Sequence, residues 1–327
     1  MMIPAALLGL FLLAQTPAEV PVEPRLRLVE QINADRKAAG LAPVLYSGKL
    51  SRAADAHCAE MLREGYTSHW NRAGWKPYMR YAAAGIRDYT AENIWSHTSS
   101  GPTVSADTLW AELLEGHQGF MAEQPPRDGH RRTILNPEHT HVGIGVAYNS
   151  SGIRLIEVFA TRRAQLDPIP ARAALDDSLQ VRGRVAERGV EFFSISVFYE
   201  PLPQEMSVAE LRRTHSYGLP HEEWVERPKL VSAIYTDGTY GTVEVDALGN
   251  FSVPLRYWKG KPGVYTIAVW VRPEEEKPLI GAMTSVIVEE AKGRATPPPR
   301  GPGAAGRLRG AWQFLPGAGP AIPRRGD

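Results

Sequence analysis

The chain has 327 residues, which is too long for one ordinary domain, and 43% hydrophobic with 22% charged residues is a globular composition. With 37 Lys and Arg against 36 Asp and Glu, the formal net charge of +1 gives no electrostatic basis for binding nucleic acid or an anionic membrane. Cys58 is the one cysteine, so an intrachain disulfide is excluded and packing must stabilise the fold.

The first predicted element is a targeting signal. Ile3 to Ala14 form a short apolar run, and polar, proline-rich sequence follows from Gln15. This length suits the core of a signal peptide and falls short of the ~20 residues that a membrane-spanning helix needs. An uncleaved anchor is the alternative. We therefore assign residues 1–24 to a signal segment and lead-in, and expect an exported protein (periplasmic, cell-envelope or secreted) that does not span a membrane once the signal is removed.

Residues 25–165 show helical periodicity followed by two strands. Apolar residues on one face predict a first helix that begins near Leu28 and ends at Gly40, and a second helix over residues 48–64 that ends at Gly65. Residues 66–89 are rich in glycine, asparagine and aromatic residues and predict an ordered loop. Two further helices are expected over residues 104–114 and from Asp128 to the residue before Pro137. Strands are expected over residues 142–148 and 153–160.

A change from helical to alternating periodicity near Pro168 and Pro170 predicts a second domain over residues 172–290. Seven short β-rich runs favour an antiparallel β-sandwich of immunoglobulin-like type. Residues 291–327 are rich in proline, glycine and arginine and predict a disordered tail. The predicted strands are residues 179–185, 192–199, 230–235, 242–245, 251–255, 264–271 and 284–288.

Five short blocks of polar and aromatic residues occur in a fixed order within the first domain. They are Asn33…Arg36…Gly40-Leu41, Ser68-His69-Trp70, Ala91-Glu92-Asn93-Ile94, Trp110 with Glu112 and Glu115, and Gly129 to Pro137 running into Val142 to Val146. This order resembles the SCP/CAP superfamily of cysteine-rich secretory proteins, venom antigen 5 and plant pathogenesis-related proteins, and in particular its bacterial secreted branch. The resemblance covers roughly residues 28–161.

The resemblance implies an α-β-α sandwich, and so an α+β fold class overall, with a cleft lined by two histidines and two glutamates. Carried over by position, His69, Glu92 and His130 match this set. The second glutamate is expected three residues after a helical tryptophan, where this chain has Leu113. Glu112 and Glu115 flank that position and are the predicted cleft residues; Glu123 is a more distant alternative.

These side chains also have a physical interpretation. The neutral imidazoles of His69 and His130 can hold a divalent cation such as zinc and leave a coordination position open. Glu92 can accept the other ring N–H of a histidine and fix its tautomer. The alternative is a buried hydrogen-bond network that locks the loops without any ligand. Among the remaining candidates, His57 and Cys58 are expected in the core, and His139 and His141 on the surface.

No catalytic residue is assigned, because the sequence lacks a G-x-S-x-G elbow, an H-E-x-x-H helix, a P-loop and a G-x-G-x-x-G loop. The favoured hypothesis is a non-catalytic binding module for a metal, a lipid-like small molecule, an extracellular protein or an envelope polymer. A second hypothesis is a metal-dependent hydrolase or peptidase that uses Glu92 as its base. A third is an envelope scaffold or adhesin whose cleft is vestigial.

Overall fold

The computed structural model describes residues 20–98, 104–274 and 276–291. The predicted signal run at residues 3–14 and the predicted disorder of residues 292–327 lie outside the described residues. The chain divides into two compact units. Of the described residues, those up to Arg162 together with Pro203–Leu219 form the first unit, and Arg163–Leu202 together with those from Pro220 onward form the second. Within the described ranges, no helix combines the length and apolarity that crossing a membrane requires.

The first unit alternates helices and strands along the chain. Most of its elements precede Arg162, and one short helix lies in Pro203–Leu219. The elements are α1 (Val22–Ala38), β1 (Leu45–Tyr46), α2 (Gly48–Glu64), α3 (Pro77–Ala83), β2 (Tyr89–Thr98), α4 (Leu109–Met121), α5 (Gly129–Ile134), β3 (His141–Asn149), β4 (Gly152–Thr161) and α6 (Val208–Leu211).

These elements form three layers around a four-stranded sheet with the order β1-β3-β4-β2, in which β1 is parallel to β3 and the other pairs are antiparallel. Apolar side chains of α1, α4 and α5 bury one face of the sheet, among them Leu28 and Leu113. Side chains of α2, α3 and α6 bury the other face, among them Met61 and Tyr81. The predicted α-β-α sandwich is confirmed, and it leaves β2 as an edge strand.

Local signals account for α2, whose predicted bounds agree with the structure. The hydroxyl of Ser47 accepts the backbone N–H of Leu50 at 3.4 Å, and Gly65 ends the helix in the left-handed conformation with φ of 69°. On its inner side, α2 lies against two glycines of β3. A Cβ at Gly143 or Gly145 would lie 2.4 Å from a Cβ of α2, so the helix and sheet approach more closely than larger residues allow.

Several predictions for the first unit were wrong in detail. Residues 66–89 contain α3, which begins with Pro77 in its first turn. The third helix begins at Leu109 and continues to Met121, because Gly116 does not end it. A Cβ at Gly116 would lie 2.9 Å from the ring of Trp95, so this glycine permits close packing of α4 on the sheet. The edge strand β2 was not predicted as a strand.

The second unit contains two sheets that pack face to face. Their orders are β10-β11-β7-β5 and β6-β13-β12-β8-β9, and both contribute to one apolar core. The β-sandwich is confirmed. The strands are β5 (Gln165–Leu166), β6 (Arg172–Ala174), β7 (Gln180–Arg184), β8 (Val190–Glu200), β9 (Glu223–Glu226), β10 (Glu244–Val245), β11 (Asn250–Pro254), β12 (Gly263–Pro273) and β13 (Leu279–Glu289).

The sandwich also differs from the prediction. Residues 230–235 form no strand. Val231 is 96% exposed, so the apolar side chains of this stretch are not all buried in the core of the sandwich. The strands β5, β6 and β9 were missed because they are only two to four residues long. The sandwich is not wholly antiparallel, since β6 pairs with β13 in parallel.

Residues 203–219 lie between β8 and β9 in the sequence but pack with the first unit. The sequence placed them in the sandwich domain, and that placement was wrong. Ser207 and Glu210 form a capping box that begins α6. The next residue, Leu211, is fully buried in the apolar core beneath α2 and α3, which explains why this segment belongs to the first unit.

Candidate functional site

The first part of the candidate site is a histidine–carboxylate pair at the edge strand β2. Glu92 lies on β2 with its side chain buried, and its Oε1 accepts Nδ1–H of His69 at 2.9 Å. The same oxygen accepts a guanidinium N–H of Arg80 at 2.8 Å, and Oε2 accepts the hydroxyl of Tyr81 at 2.8 Å. Both carboxylate oxygens of Glu92 are therefore occupied by donors.

Electrostatics keep this carboxylate ionised. Burial by itself would raise the pKa of Glu92, but the charge of Arg80 and the hydrogen bond from His69 outweigh it and lower the pKa to about 2. A carboxylate facing Nδ1 requires the hydrogen of His69 on that nitrogen, which leaves Nε2 as the ring acceptor. Glu92 thus orients His69, as the sequence predicted for it, and is poorly suited to accept a proton from substrate water.

The second part of the site is a similar pair formed by His130 and Glu123. Nδ1 of His130 lies 2.5 Å from Oε1 of Glu123, and the backbone N–H of His130 donates to Oε2 at 2.9 Å. The ring of Phe120 lies 4.8 Å from the imidazole, between centroids. The side chain of His130 is 38% exposed. One carboxylate therefore fixes both the ring and the backbone of His130, again with Nε2 as the acceptor.

The glutamate that completes this second pair is Glu123, the distant alternative, and not Glu112 or Glu115. Glu112 instead accepts Nδ1–H of His97 at 2.9 Å, and Glu115 is exposed. The physical reason is the length of α4: it extends to Met121, so its end, and not its first turns, lies beside α5. Glu123, two residues beyond the helix, occupies the position beside His130 that was assigned to Glu112 or Glu115.

The two pairs lie at the same level of β2 but on opposite sides of it. Adjacent residues of a strand point to opposite faces, and here they are Glu92 and Asn93. Glu92 holds His69, whereas the buried amide of Asn93 donates to the backbone carbonyl of His130 at 3.0 Å. The edge strand thus positions both histidines through two consecutive side chains.

A buried charged cluster behind β2 was missed by the sequence analysis. His117, with 1% of its side chain exposed, lies between Glu157 of β4 at 2.8 Å and Asp35 of α1 at 2.9 Å. Burial disfavours the charged imidazolium, but Glu157 and then Asp35 outweigh it and raise the pKa of His117 to about 9. The three residues are far apart in the sequence, so no local pattern could have indicated the cluster.

The side chains available as ligands show whether a metal ion fits this site. Among the described residues, no group of three or more His, Cys, Asp and Glu side chains could hold a metal ion. A structural zinc site needs four protein ligands and a catalytic one three, whereas this site offers the Nε2 atoms of His69 and His130. The residues present do not form a resident zinc site, and any zinc contact would be a weak one through a single imidazole.

The remaining predicted histidines have structural surroundings. His57 is buried, as expected, and its Nε2–H donates to the carbonyl of Ser68 at 2.8 Å; burial lowers its pKa to about 3. Cys58 is buried beside it, and burial raises the pKa of the thiol. The expectation for His139 was wrong: it is buried, and its ring stacks on that of Phe159 with 5.4 Å between centroids.

Comparison with known proteins places this site in a family context. Residues 29–161 match the model of the cysteine-rich secretory protein family, CAP. An uncharacterised protein from Bacillus subtilis, YkwD, is 29% identical over 126 residues, which cover 38% of this chain and 43% of that protein. The chain thus spans less than half the length of this curated relative.

Solved structures with partial similarity are also bacterial. An extracellular protein with an SCP domain from Bacillus anthracis is 19% identical and covers 42% of this chain and 40% of that one, with a TM-score of 0.33. An outer surface protein from Borrelia burgdorferi is 14% identical and covers 45% and 98%, with a TM-score of 0.36. A cysteine-rich secretory protein from Staphylococcus aureus is 16% identical and covers 45% and 41%, with a TM-score of 0.30.

Proposed function

Residues 29–161 form a domain of the cysteine-rich secretory protein (CAP) family, and we propose that the chain is an exported, non-catalytic binding module whose ligand contacts His69 and His130. One observation carries this proposal. Each imidazole donates Nδ1–H to a carboxylate, so each presents an oriented Nε2 lone pair that no described residue uses. An imidazole fixed in this way can accept a hydrogen bond or contact a cation without first changing its tautomer.

The same geometry argues against the hydrolase that uses Glu92 as its base. A general base needs an available lone pair and a pKa near the working pH. Glu92 has three donors on its two oxygens and a pKa of about 2. A proton taken up by Glu92 would break its contacts with Arg80 and His69. Ligand binding without bond cleavage is therefore the better supported role.

Export is proposed on different grounds. The apolar run at residues 3–14 has the length of a signal-peptide core, and polar, proline-rich residues follow it. Partners outside the cytoplasm, such as a lipid-like molecule, an extracellular protein or an envelope polymer, are consistent with that location. The test is the fate of residues 1–24 in the producing cell: mass spectrometry of the exported protein would show whether they are removed.

Zinc is a suitable probe for the two Nε2 atoms. We expect calorimetric titration of the full chain near neutral pH to give weak zinc binding that His69→Ala and His130→Ala each reduce. His97→Ala is the matched control, because His97 is also paired with a glutamate but lies outside the two pairs. If the wild-type chain does not bind zinc, or if His97→Ala reduces binding equally, the pairs hold their loops in place and are not ligand contacts.

A further inference from the structure

Residues 203–219 have two parts with different contacts. The first part, residues 203–211, is an anchor: Leu211 is fully buried, and the backbone N–H of Met206 donates to the carbonyl of Arg72 at 2.9 Å. The anchor also runs close to Gly74, where a Cβ would lie 2.1 Å from the carbonyl oxygen of Gln204. The second part, residues 212–219, is called the arm below. It contains no helix or strand of its own.

The arm is held through three main-chain carbonyls and, at its start, through the guanidinium of Arg212, which donates to the carbonyl of Gly65 at 2.7 Å. The carbonyl of Thr214 accepts the hydroxyl of Ser68 at 2.5 Å, and that of Ser216 accepts the indole N–H of Trp70 at 2.9 Å. The carbonyl of Gly218 lies 3.5 Å from the hydroxyl of Tyr78. Contacts at every second residue match the period of an extended chain. All three donors are side chains of the first unit, so they recognise a backbone and not a particular sequence.

One side chain of the arm adds selectivity. The ring of Tyr217 lies 4.9 Å from the ring of His69, between centroids, and its hydroxyl accepts the backbone N–H of Glu92 at 3.4 Å. Tyr217 is half-buried, whereas its neighbours Ser216 and Gly218 are exposed. Main-chain hydrogen bonds combined with one pocket for a side chain are the features by which protein surfaces bind extended peptides.

We propose that the surface of Ser68, His69, Trp70 and Tyr78 is a peptide-binding groove, and that the arm occupies it in cis. The ligand class is an extended peptide with an aromatic side chain at the position of Tyr217. This inference rests on the proposed function in one respect, since it names the partner class of the His69 side of the same site. A tethered arm acts at an effective concentration of about 1 mM, so a free peptide binds well only when the arm is weakened.

The test uses a fluorescein-labelled synthetic peptide with the sequence of residues 212–220 and the full-length chain. Tyr217→Ala weakens the arm but leaves the anchor intact, and we expect it to bind the peptide at least about tenfold more tightly than the wild type does. Tyr217→Phe retains the ring and is the matched control, with affinity close to that of the wild type. Adding Trp70→Phe to Tyr217→Ala removes the indole N–H that donates to a main-chain carbonyl of the peptide, and it should weaken peptide binding.

Two results would contradict the proposed peptide-binding groove. One is equal peptide affinity for Tyr217→Ala and the wild type, and the other is undiminished binding of a peptide with alanine in place of the tyrosine. If Tyr217→Ala does not fold, the wild type is titrated with millimolar peptide while the Trp70 indole N–H resonance is followed; an unmoved resonance contradicts the groove. His130→Ala separates the two proposals, because it should lower zinc affinity and leave peptide binding unchanged.

Discussion

A single carboxylate, that of Glu123, binds both the ring and the backbone of His130. Its two oxygens lie 2.5 Å from Nδ1 and 2.9 Å from the backbone nitrogen. Fixing both groups sets the position of the ring relative to the start of α5, as well as the tautomer. At His69 two residues perform these roles. Glu92 binds the His69 ring, and Arg80 donates both to Glu92 and to the backbone carbonyl of His69.

Replacing Glu123 should release His130 without unfolding the domain. In Glu123→Gln the amide cannot match the charged acceptor, so the fraction of His130 with its hydrogen on Nδ1 should fall, and zinc affinity should drop by about 10–100-fold. Long-range ¹H–¹⁵N NMR of the imidazole measures the tautomer. Glu115→Gln, at an exposed position of α4, should change neither quantity. An unchanged His130 tautomer in Glu123→Gln would show that Glu123 does not orient the ring.

The buried His117 cluster should make the protein less stable in alkali. The pKa of His117 is about 9 in the folded state against an ordinary value of 6.5, so the folded state binds a proton more tightly. The contribution of protonated His117 to the free energy of unfolding is therefore complete below about pH 6.5 and is lost as the pH rises through about 9. The shift corresponds to at most about 3 kcal/mol in the free energy of unfolding, measured by urea denaturation across this range.

A variant separates this effect from other titrating groups. His117→Gln keeps hydrogen-bonding atoms near Asp35 and Glu157 but cannot carry a charge, so it should be less stable than the wild type at pH 6 and show a flatter profile between pH 6.5 and 9. Asp35→Asn should cost less stability than Glu157→Gln, because Asp35 is 28% exposed while Glu157 is fully buried. Parallel pH profiles for wild type and His117→Gln would contradict the assignment.

The contact between α2 and β3 depends on a missing Cβ. At Gly145 an added methyl group would lie 2.4 Å from the Cβ of Ala54 and 2.7 Å from its carbonyl carbon, so the helix backbone must move. Gly145→Ala should lower the free energy of unfolding by about 1–3 kcal/mol. Gly119→Ala is the control within a helix: it is exposed, meets no atom within 4 Å, and should stabilise α4 by up to about 1 kcal/mol. Thermal unfolding of both variants measures these changes, and a Gly145→Ala variant as stable as the wild type would contradict the close contact.

Much of the fold could be predicted because its signals are local. The cap at Ser47 and the glycine at position 65 bound α2, and the alternating apolar residues of β12 and β13 indicate strands buried on one face or both. A contact between Glu92 and a ring N–H of a histidine was predicted from the chemistry of these residue types, and the structure identifies the histidine as His69. Signals of this kind lie within one segment or one short block of the sequence, so they do not depend on the final packing.

The rest depends on long-range geometry. Glu123 was only a distant alternative because its role follows from where α4 ends, and the continuation of α4 through Gly116 depends on the close contact of this glycine with Trp95. The arm could not be predicted, since its contacts join residues near 68 to residues near 214. The side chain of Asp35 reaches His117 only after α1 and α4 have packed on the same face of the sheet.

Arg36 belongs to the first of the five sequence blocks, but its contacts stabilise the fold and do not form part of the candidate site. It is fully buried, and its guanidinium donates to the carbonyls of Ala42 at 2.9 Å, Ile134 at 2.7 Å and Asn136 at 2.9 Å, which join the loop after α1 to the end of α5. A lysine cannot serve three carbonyls in this planar arrangement, so Arg36→Lys should leave buried acceptors unpaired and lower the free energy of unfolding by at least about 2 kcal/mol. Lys37→Arg, at an exposed position of the same helix, should change it by less than about 0.5 kcal/mol in the same urea titration. Equal stabilities for the two variants would mean that the carbonyls find other donors and that Arg36 does not hold the loop.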